Sequence, residues 1–202
     1  MSSIVIQSVK SHKQKKDFVN LPFDIYKNNT YWVPPIKSDE MHLFDPLHNP
    51  AMDFCDTAFW VAYRNGKVVG RISAIINRKY NEKMNQKLGR FSRLEFIDDQ
   101  EVFQVLMSTA SQWLKEREME IIHGPLGFTN LDNQGLPIEG FDYIPSVASV
   151  YHMPYYKDYL EAYGFEKETD WLEFRLQLGE KAINKAIRGS EIIKKRFGLK
   201  VI

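Results

Sequence analysis

The sequence predicts an α+β domain: a mixed, mostly antiparallel central sheet flanked by helices, followed by a C-terminal helical tail. Three observations carry that prediction. Two runs rich in β-branched and aromatic residues at 58–76 flank Arg64-Asn65-Gly66-Lys67, a hairpin signature. Alternating apolar stretches and stretches with apolar residues three and four apart follow one another as strand, helix, hairpin, strand, helix, strand, helix, strand. A chain of 202 residues, 44% hydrophobic and 13% aromatic, also holds enough large side chains for one sizeable core.

Ile4 to Val9 reads as a short strand because β-branched residues dominate it. From Lys13 to Tyr26, Phe18, Leu21 and Ile25 share a helical face, and Pro22 is expected to break or kink that helix. Tyr31-Trp32-Val33-Pro34-Pro35 resembles a polyproline ligand, but Trp and Val beside the prolines favour a plug at a core edge. Asn65 and Gly66 supply the two positive-φ positions of a type I′ turn. Between Arg90 and Ile97, Phe91, Arg93, Glu95 and Ile97 alternate with Ser92, Leu94 and Phe96, as in a third strand. Asp98 and Glu101 have capping-box spacing before a helix to about Glu118, whose stripe is Phe103, Leu106, Ala110, Trp113 and Leu114. Met119 to Gly124 reads as a strand, Leu126 to Ser149 as a long polar loop, and Tyr155 to Tyr163 as a helix that Gly164 stops. Trp171 to Leu176 alternates once more as a closing strand. The domain so defined spans 1–178, and 179–202 is a basic helical tail or linker.

Charge and composition exclude several classes. The formal net charge is +1, yet residues 181–200 hold seven Lys or Arg against Glu191 alone, making that tail +6 and leaving −5 for the first 180 residues. A globally basic nucleic-acid binder is therefore excluded. A single cysteine, Cys55, cannot close an internal disulfide. Met1 to Ile6 lacks a basic stretch, its apolar run is too short for a signal peptide, and no run approaches the roughly 20 apolar residues of a membrane helix. A cytoplasmic protein is expected. His12, His42, His48, His123 and His152 show no metal-ligand spacing, and there is no Gly-x-Ser-x-Gly elbow, P-loop or dinucleotide-binding glycine pattern.

The order of elements resembles the GNAT superfamily of acyl-CoA N-acyltransferases. The residues that carry the likeness are Arg64-Asn65-Gly66-Lys67-Val68-Val69-Gly70 and Tyr159-Leu160-Glu161-Ala162-Tyr163-Gly164-Phe165. Tyr31 to Pro35, His123 to Phe128 and Tyr155-Tyr156 resemble an uncharacterised bacterial branch of it. The resemblance implies that strands 90–97 and 119–124 splay, with the pantetheine of acetyl-CoA or another acyl-CoA in the gap and its pyrophosphate on the next helix. Phe96, Ile97, Gln100, Val102 and Phe103 are the cofactor-binding residues on that reading, and no metal is implied. The family's phosphate loop is glycine-bearing, whereas Asp98-Asp99-Gln100-Glu101-Val102-Phe103 has three carboxylates and no glycine. Those charges would repel a pyrophosphate or, capping the helix, use the donors it needs.

The resemblance also makes Glu95, near the end of its strand, the candidate general base, against a plain solvent-facing strand glutamate; Tyr156 and Tyr159, crowding the entry to the last helix, are the candidate acids, against simple aromatic packing. Asn130 and Asn133, in a loop long enough to bind, and Tyr151 and Tyr155 are the candidate substrate contacts; an Asx-turn cluster is the bland account of the loop. His123 beside Gly124-Pro125 reads as a strand-end base or a structural histidine. The function expected is acyl transfer from acyl-CoA to a primary amine of a small or amino-acid-like molecule. The alternative is a GNAT-fold binding or assembly module without catalysis. Neither a membrane nor nucleic acid is an expected partner. Gly198 ends the tail helix and Leu199 to Ile202 reads as a strand beginning, so the chain is expected to be part of a longer, two-domain protein, the resembled branch implying a missing second GNAT-like half; the alternatives are a tail packed on its own domain or a homodimer.

Overall fold

The computed structural model describes residues 3–199. It forms two compact units, 1–166 and 167–202. The first holds a five-stranded sheet of β1 (Ile4–Ser8), β2 (Cys55–Arg64), β3 (Lys67–Asn77), β4 (Leu88–Phe96) and β5 (Ile121–His123), in spatial order β1-β2-β3-β4-β5. All neighbours are antiparallel except β4 and β5. The hairpin closes as expected, with Asn65 at φ 53° and Gly66 at φ 74°.

Both sheet faces are covered, so β2 and β3 are buried almost throughout. On one face Trp60, Ile72, Phe91, Leu94 and Phe96 pack with α4 (Gln100–Lys115) and α5 (Tyr155–Tyr163). α4 sits very close to the sheet: a Cβ on Gly70 would lie 2.6 Å from Leu106 Cδ1. On the other face Phe59, Val61, Tyr63 and Ile75 pack with Phe18 of α1 (His12–Ile25) and with Phe128. Two short helices, α2 (Lys37–His42) and α3 (Arg78–Met84), complete this unit.

Pro22 neither breaks α1 nor ends it. Proline has no N–H for the carbonyl four residues earlier, that of Phe18. Arg71 of β3 replaces the missing donor, giving Phe18 O a hydrogen bond of 2.8 Å. A buried guanidinium thus holds together a helix that its own backbone leaves incomplete. Half of the Tyr31–Pro35 plug forms: Trp32 stacks on Tyr26 at 5.1 Å, whereas Val33 is 60% exposed.

The second unit contains α6 (Glu180–Phe197), and the first unit ends before the expected boundary at 178. Residues 171–176 form no strand. Alternation fixes which side chains share a face, but a strand exists only in a ladder, and no described strand pairs with this segment. Most of the strand expected from Leu199 lies outside the described residues.

Candidate active site

The sheet opens between β4 and β5. Their ladder runs only from Leu88↔Ile121 to Arg90↔His123. After the cis Gly124–Pro125 peptide, Leu126 N–H donates to Phe91 O at 2.9 Å, and the chain leaves the sheet. A Cβ on Gly124 would stand 2.6 Å from that same carbonyl, so only glycine lets the chain turn there. Beyond Phe91, β4 has no strand beside it on this side. The N–H and C=O of Phe96 face the opening, because Ile97 N–H and Val69 O make the neighbouring link to β3. Tyrosines of α5 take both groups: Phe96 N–H donates to Tyr156 Oη at 3.1 Å, and Tyr155 Oη donates to Phe96 O at 2.6 Å.

A bulge in β4 decides what faces the other way. Arg71 pairs with Glu95 but Ser73 pairs with Ser92, so Arg93 and Leu94 together oppose Ile72, with Arg93 at φ 50°. The extra residue reverses the alternation expected along 90–97. Phe91, Leu94 and Phe96 share one core face, and Glu95 turns toward α1. There it is buried, not solvent-facing, at 7% exposure. Its Oε2 accepts hydrogen bonds from Tyr26 at 2.6 Å and Tyr156 at 2.7 Å. His152 Nε2 lies 3.9 Å from Oε1, and Arg71 adds its positive charge nearby.

Burial, and then the neighbouring Glu95 charge, push the Tyr26 and Tyr156 hydroxyls well above their ordinary 10. Both therefore remain protonated donors near neutral pH. His152 is 8% exposed, and its Nδ1 has no partner among the described residues. Burial, which outweighs Glu95, holds its pKa below the ordinary 6.5. The unfolded chain then binds a proton below pH 6.5 that the fold resists, so stability should fall as pH drops through that value. Melting between pH 7 and 5 should lose up to about 1.4 kcal/mol per pH unit from this group, and His152→Gln should flatten the slope. An unchanged slope would assign the acid sensitivity to other groups.

The other expected site residues separate from this cluster. Tyr159 bonds Asp98 Oδ1 at 2.9 Å, at the N-terminus of α4 rather than beside Glu95. Tyr151 bonds Phe141 O and Asn29 and meets Tyr26 edge-on at 6.0 Å. Asn130 and Asn133 are exposed, while Thr129 and Asp132 between Phe128 and Asn133 serve each other. The loop starts from a pinned backbone, since Arg90 donates to both Gly127 O and Phe128 O. Val102 and Phe103 bury their side chains in the core; Ile97 and Gln100 are exposed.

The cap of α4 differs from the expected box. Asp99, not Asp98, is the N-cap and accepts from Val102 N–H at 3.1 Å. Arg64 from the hairpin clamps Asp99 at 2.6 Å and Glu101 at 2.8 Å. That guanidinium holds the Asp99 carboxyl below the usual range. A groove lined by Arg64, Asp98, Gln100, Glu101, Gln104 and Tyr159 therefore stays acidic, and Asp99 already uses donors that a pyrophosphate would want. With CoA docked as the resemblance implies, neutralising Asp98→Asn with Glu101→Gln should tighten its binding while stability moves by only about 0.5 kcal/mol, because the Asp99 cap is untouched. Calorimetry checks this; unchanged affinity would show that the pyrophosphate docks elsewhere.

No protein-family model matches the sequence. Several solved structures match its architecture. An aminoglycoside acetyltransferase from an uncultured soil metagenomic sample, in complex with sisomicin, covers 87% of this chain and 97% of its own at a TM-score of 0.51 and 12% identity. A predicted acetyltransferase with acetyl-CoA from Clostridium acetobutylicum covers 86% and 96% at a TM-score of 0.53 and 13% identity. The chain has the GNAT fold. Among curated relatives, Protein YghO of Escherichia coli K12 is 31% identical over 186 residues, 91% of this chain and 47% of YghO. The bacterial ceramide synthase of Caulobacter vibrioides is 29% identical over 168 residues, 83% of this chain and 44% of that protein. The chain spans about half the length of the curated relatives it matches. Within this GNAT fold, sequence reasoning missed Tyr26, Arg71 and His152 as neighbours of Glu95. Tyr26 and Glu95 stand 69 residues apart, and no local pattern links them. Among the described residues no three His, Cys, Asp or Glu side chains gather as a metal site.

Proposed function

We propose that this chain transfers an acyl group from acyl-CoA to the primary amine of a small molecule. The observation that carries the proposal is Glu95, hydrogen-bonded to Tyr156 at the point where the sheet opens. A neutral amine attacks the thioester carbonyl, and the proton it must then shed goes to Glu95. As the C–S bond breaks, the departing thiolate takes the proton of Tyr156, which Glu95 replaces through their 2.7 Å bond. The products are an amide and free CoA, and neither side chain is left altered. Tyr26 is a positioning residue that fixes the same carboxylate oxygen. Similarity to the Caulobacter ceramide synthase favours a long-chain amino alcohol as the amine, since a ceramide is the amide of such a compound.

A second reading is favoured by one observation. Phe96 N–H and C=O, which pantetheine would pair with, are already bonded to Tyr156 and Tyr155. A binding module without acyl-CoA would keep them so. Calorimetry with acetyl-CoA and palmitoyl-CoA, then turnover with sphinganine as acceptor, separates the two. CoA release can be followed with a thiol reagent, because Cys55 is buried and burial pushes its thiol up to about 11. Amide product supports transfer. No heat with either thioester would sink it in favour of the module.

A further inference from the structure

α6 is two-faced, and its residues are exposed along its length. Ala182, Ala186, Ile193 and Phe197, with Ile183 beside them, recur three, four and seven apart and make one apolar stripe. Lys181, Lys185, Arg188 and Lys195 recur at the same intervals on the opposite side, where Ile192 is the apolar exception. Among the described residues, none of the helix's six Lys or Arg side chains forms an ion pair. Against them stand only Glu180 and Glu191, leaving the helix at +4. Ile183 is 42%, Ile193 49% and Phe197 65% exposed.

We propose that α6 binds an anionic lipid surface, lying flat in the headgroup region with its Ile and Phe stripe toward the acyl chains. Charge complementarity decides the occupant. A second copy docking through the same stripe would set two +4 helices side by side, whereas anionic headgroups neutralise the cations, whose long stems can reach them from a flat helix. The helix is too charged to cross a bilayer: no described helix is long and apolar enough to do so. An interfacial helix needs no such span, so the expectation of no membrane partner, drawn from that absence, does not bear on it. In the same unit Trp171, Leu172 and Phe174 are 73–78% exposed, and tryptophan suits the same interface.

This inference is independent of acyl transfer and is read without any substrate. Co-sedimentation of the whole chain with phosphatidylglycerol–phosphatidylcholine vesicles and with phosphatidylcholine vesicles tests it. Binding should be at least about tenfold stronger to the anionic vesicles and should weaken near 1 M salt, where screening acts within about 3 Å. Ile183→Asp with Ile193→Asp should abolish it, and Lys185→Gln with Arg188→Gln should weaken it about tenfold; all four residues are exposed. Equal binding to both vesicle types would overturn the proposal. So would a lipid-free dimer, seen by light scattering, that the aspartates dissolve.

Discussion

Replacing Glu95 by Gln should lower kcat for amide formation by about 10²- to 10⁴-fold. The substitution keeps the shape and an acceptor oxygen for Tyr26 and Tyr156, so melting should change far less than turnover. On the proposed mechanism, what disappears is the group that takes the amine proton and returns it through Tyr156. Tyr156→Phe should also lose turnover, and it frees Phe96 N–H as well, which Tyr156 Oη otherwise accepts. Tyr26→Phe should cost less, because the proposed mechanism gives Tyr26 no proton to transfer, only its hydrogen bond to Glu95 Oε2. KM for the thioester should hold nearly constant in the Glu95 variant, since the loss lies in proton transfer rather than binding. Turnover within threefold of the parent, with fold intact by circular dichroism, would remove Glu95 from the chemistry.

Arg71→Met should destabilise the fold by about 3–5 kcal/mol, the cost of breaking a buried charged cluster on one side. Two losses combine. Phe18 O, deprived of a helical donor by Pro22, loses its 2.8 Å bond, and Glu95 loses the cation beside it. The first loss has a specific remedy. Pro22→Ala restores an N–H four residues beyond Phe18, so the double variant should regain about 1 kcal/mol over Arg71→Met alone. Denaturant melts of the four proteins in that cycle measure the coupling. Additive effects would show that Arg71 does not substitute for the proline's missing donor.

Much of the architecture was legible in sequence because its signals are local. Asn65-Gly66 demands two positive-φ residues and so a hairpin, Gly164 ends α5 in the left-handed conformation at φ 107°, and the 3-4 stripe of α4 is the one that packs. The segment 171–176 shows the limit of the same logic. Its alternation is genuine, yet hydrogen-bond partners lie in other segments, and periodicity says nothing about whether they arrive.

At the site the division is sharper. The residues themselves offered Tyr156 as a candidate and the carboxylates before α4, while Glu95 as base and a splay between strands 90–97 and 119–124 came through the resemblance to GNAT proteins. The cap shows how narrow a margin separates the two levels: Asp98 and Asp99 are both fit to cap, and the contact with Arg64, 35 residues away, accompanies the choice of Asp99. Only the tertiary structure decided which way Glu95 points. A strict period of two places it on the face of Phe91, and one additional residue at Arg93, opposite Ile72, reverses that. A bulge is set by registry with β3 and by the packing of Phe91, Leu94 and Phe96 against α4 and α5, not by any residue pattern within β4. Tyr26, Arg71 and His152 reach Glu95 from three other segments for the same reason: proximity across a sheet is a property of the folded chain, while sequence records only what lies next along it.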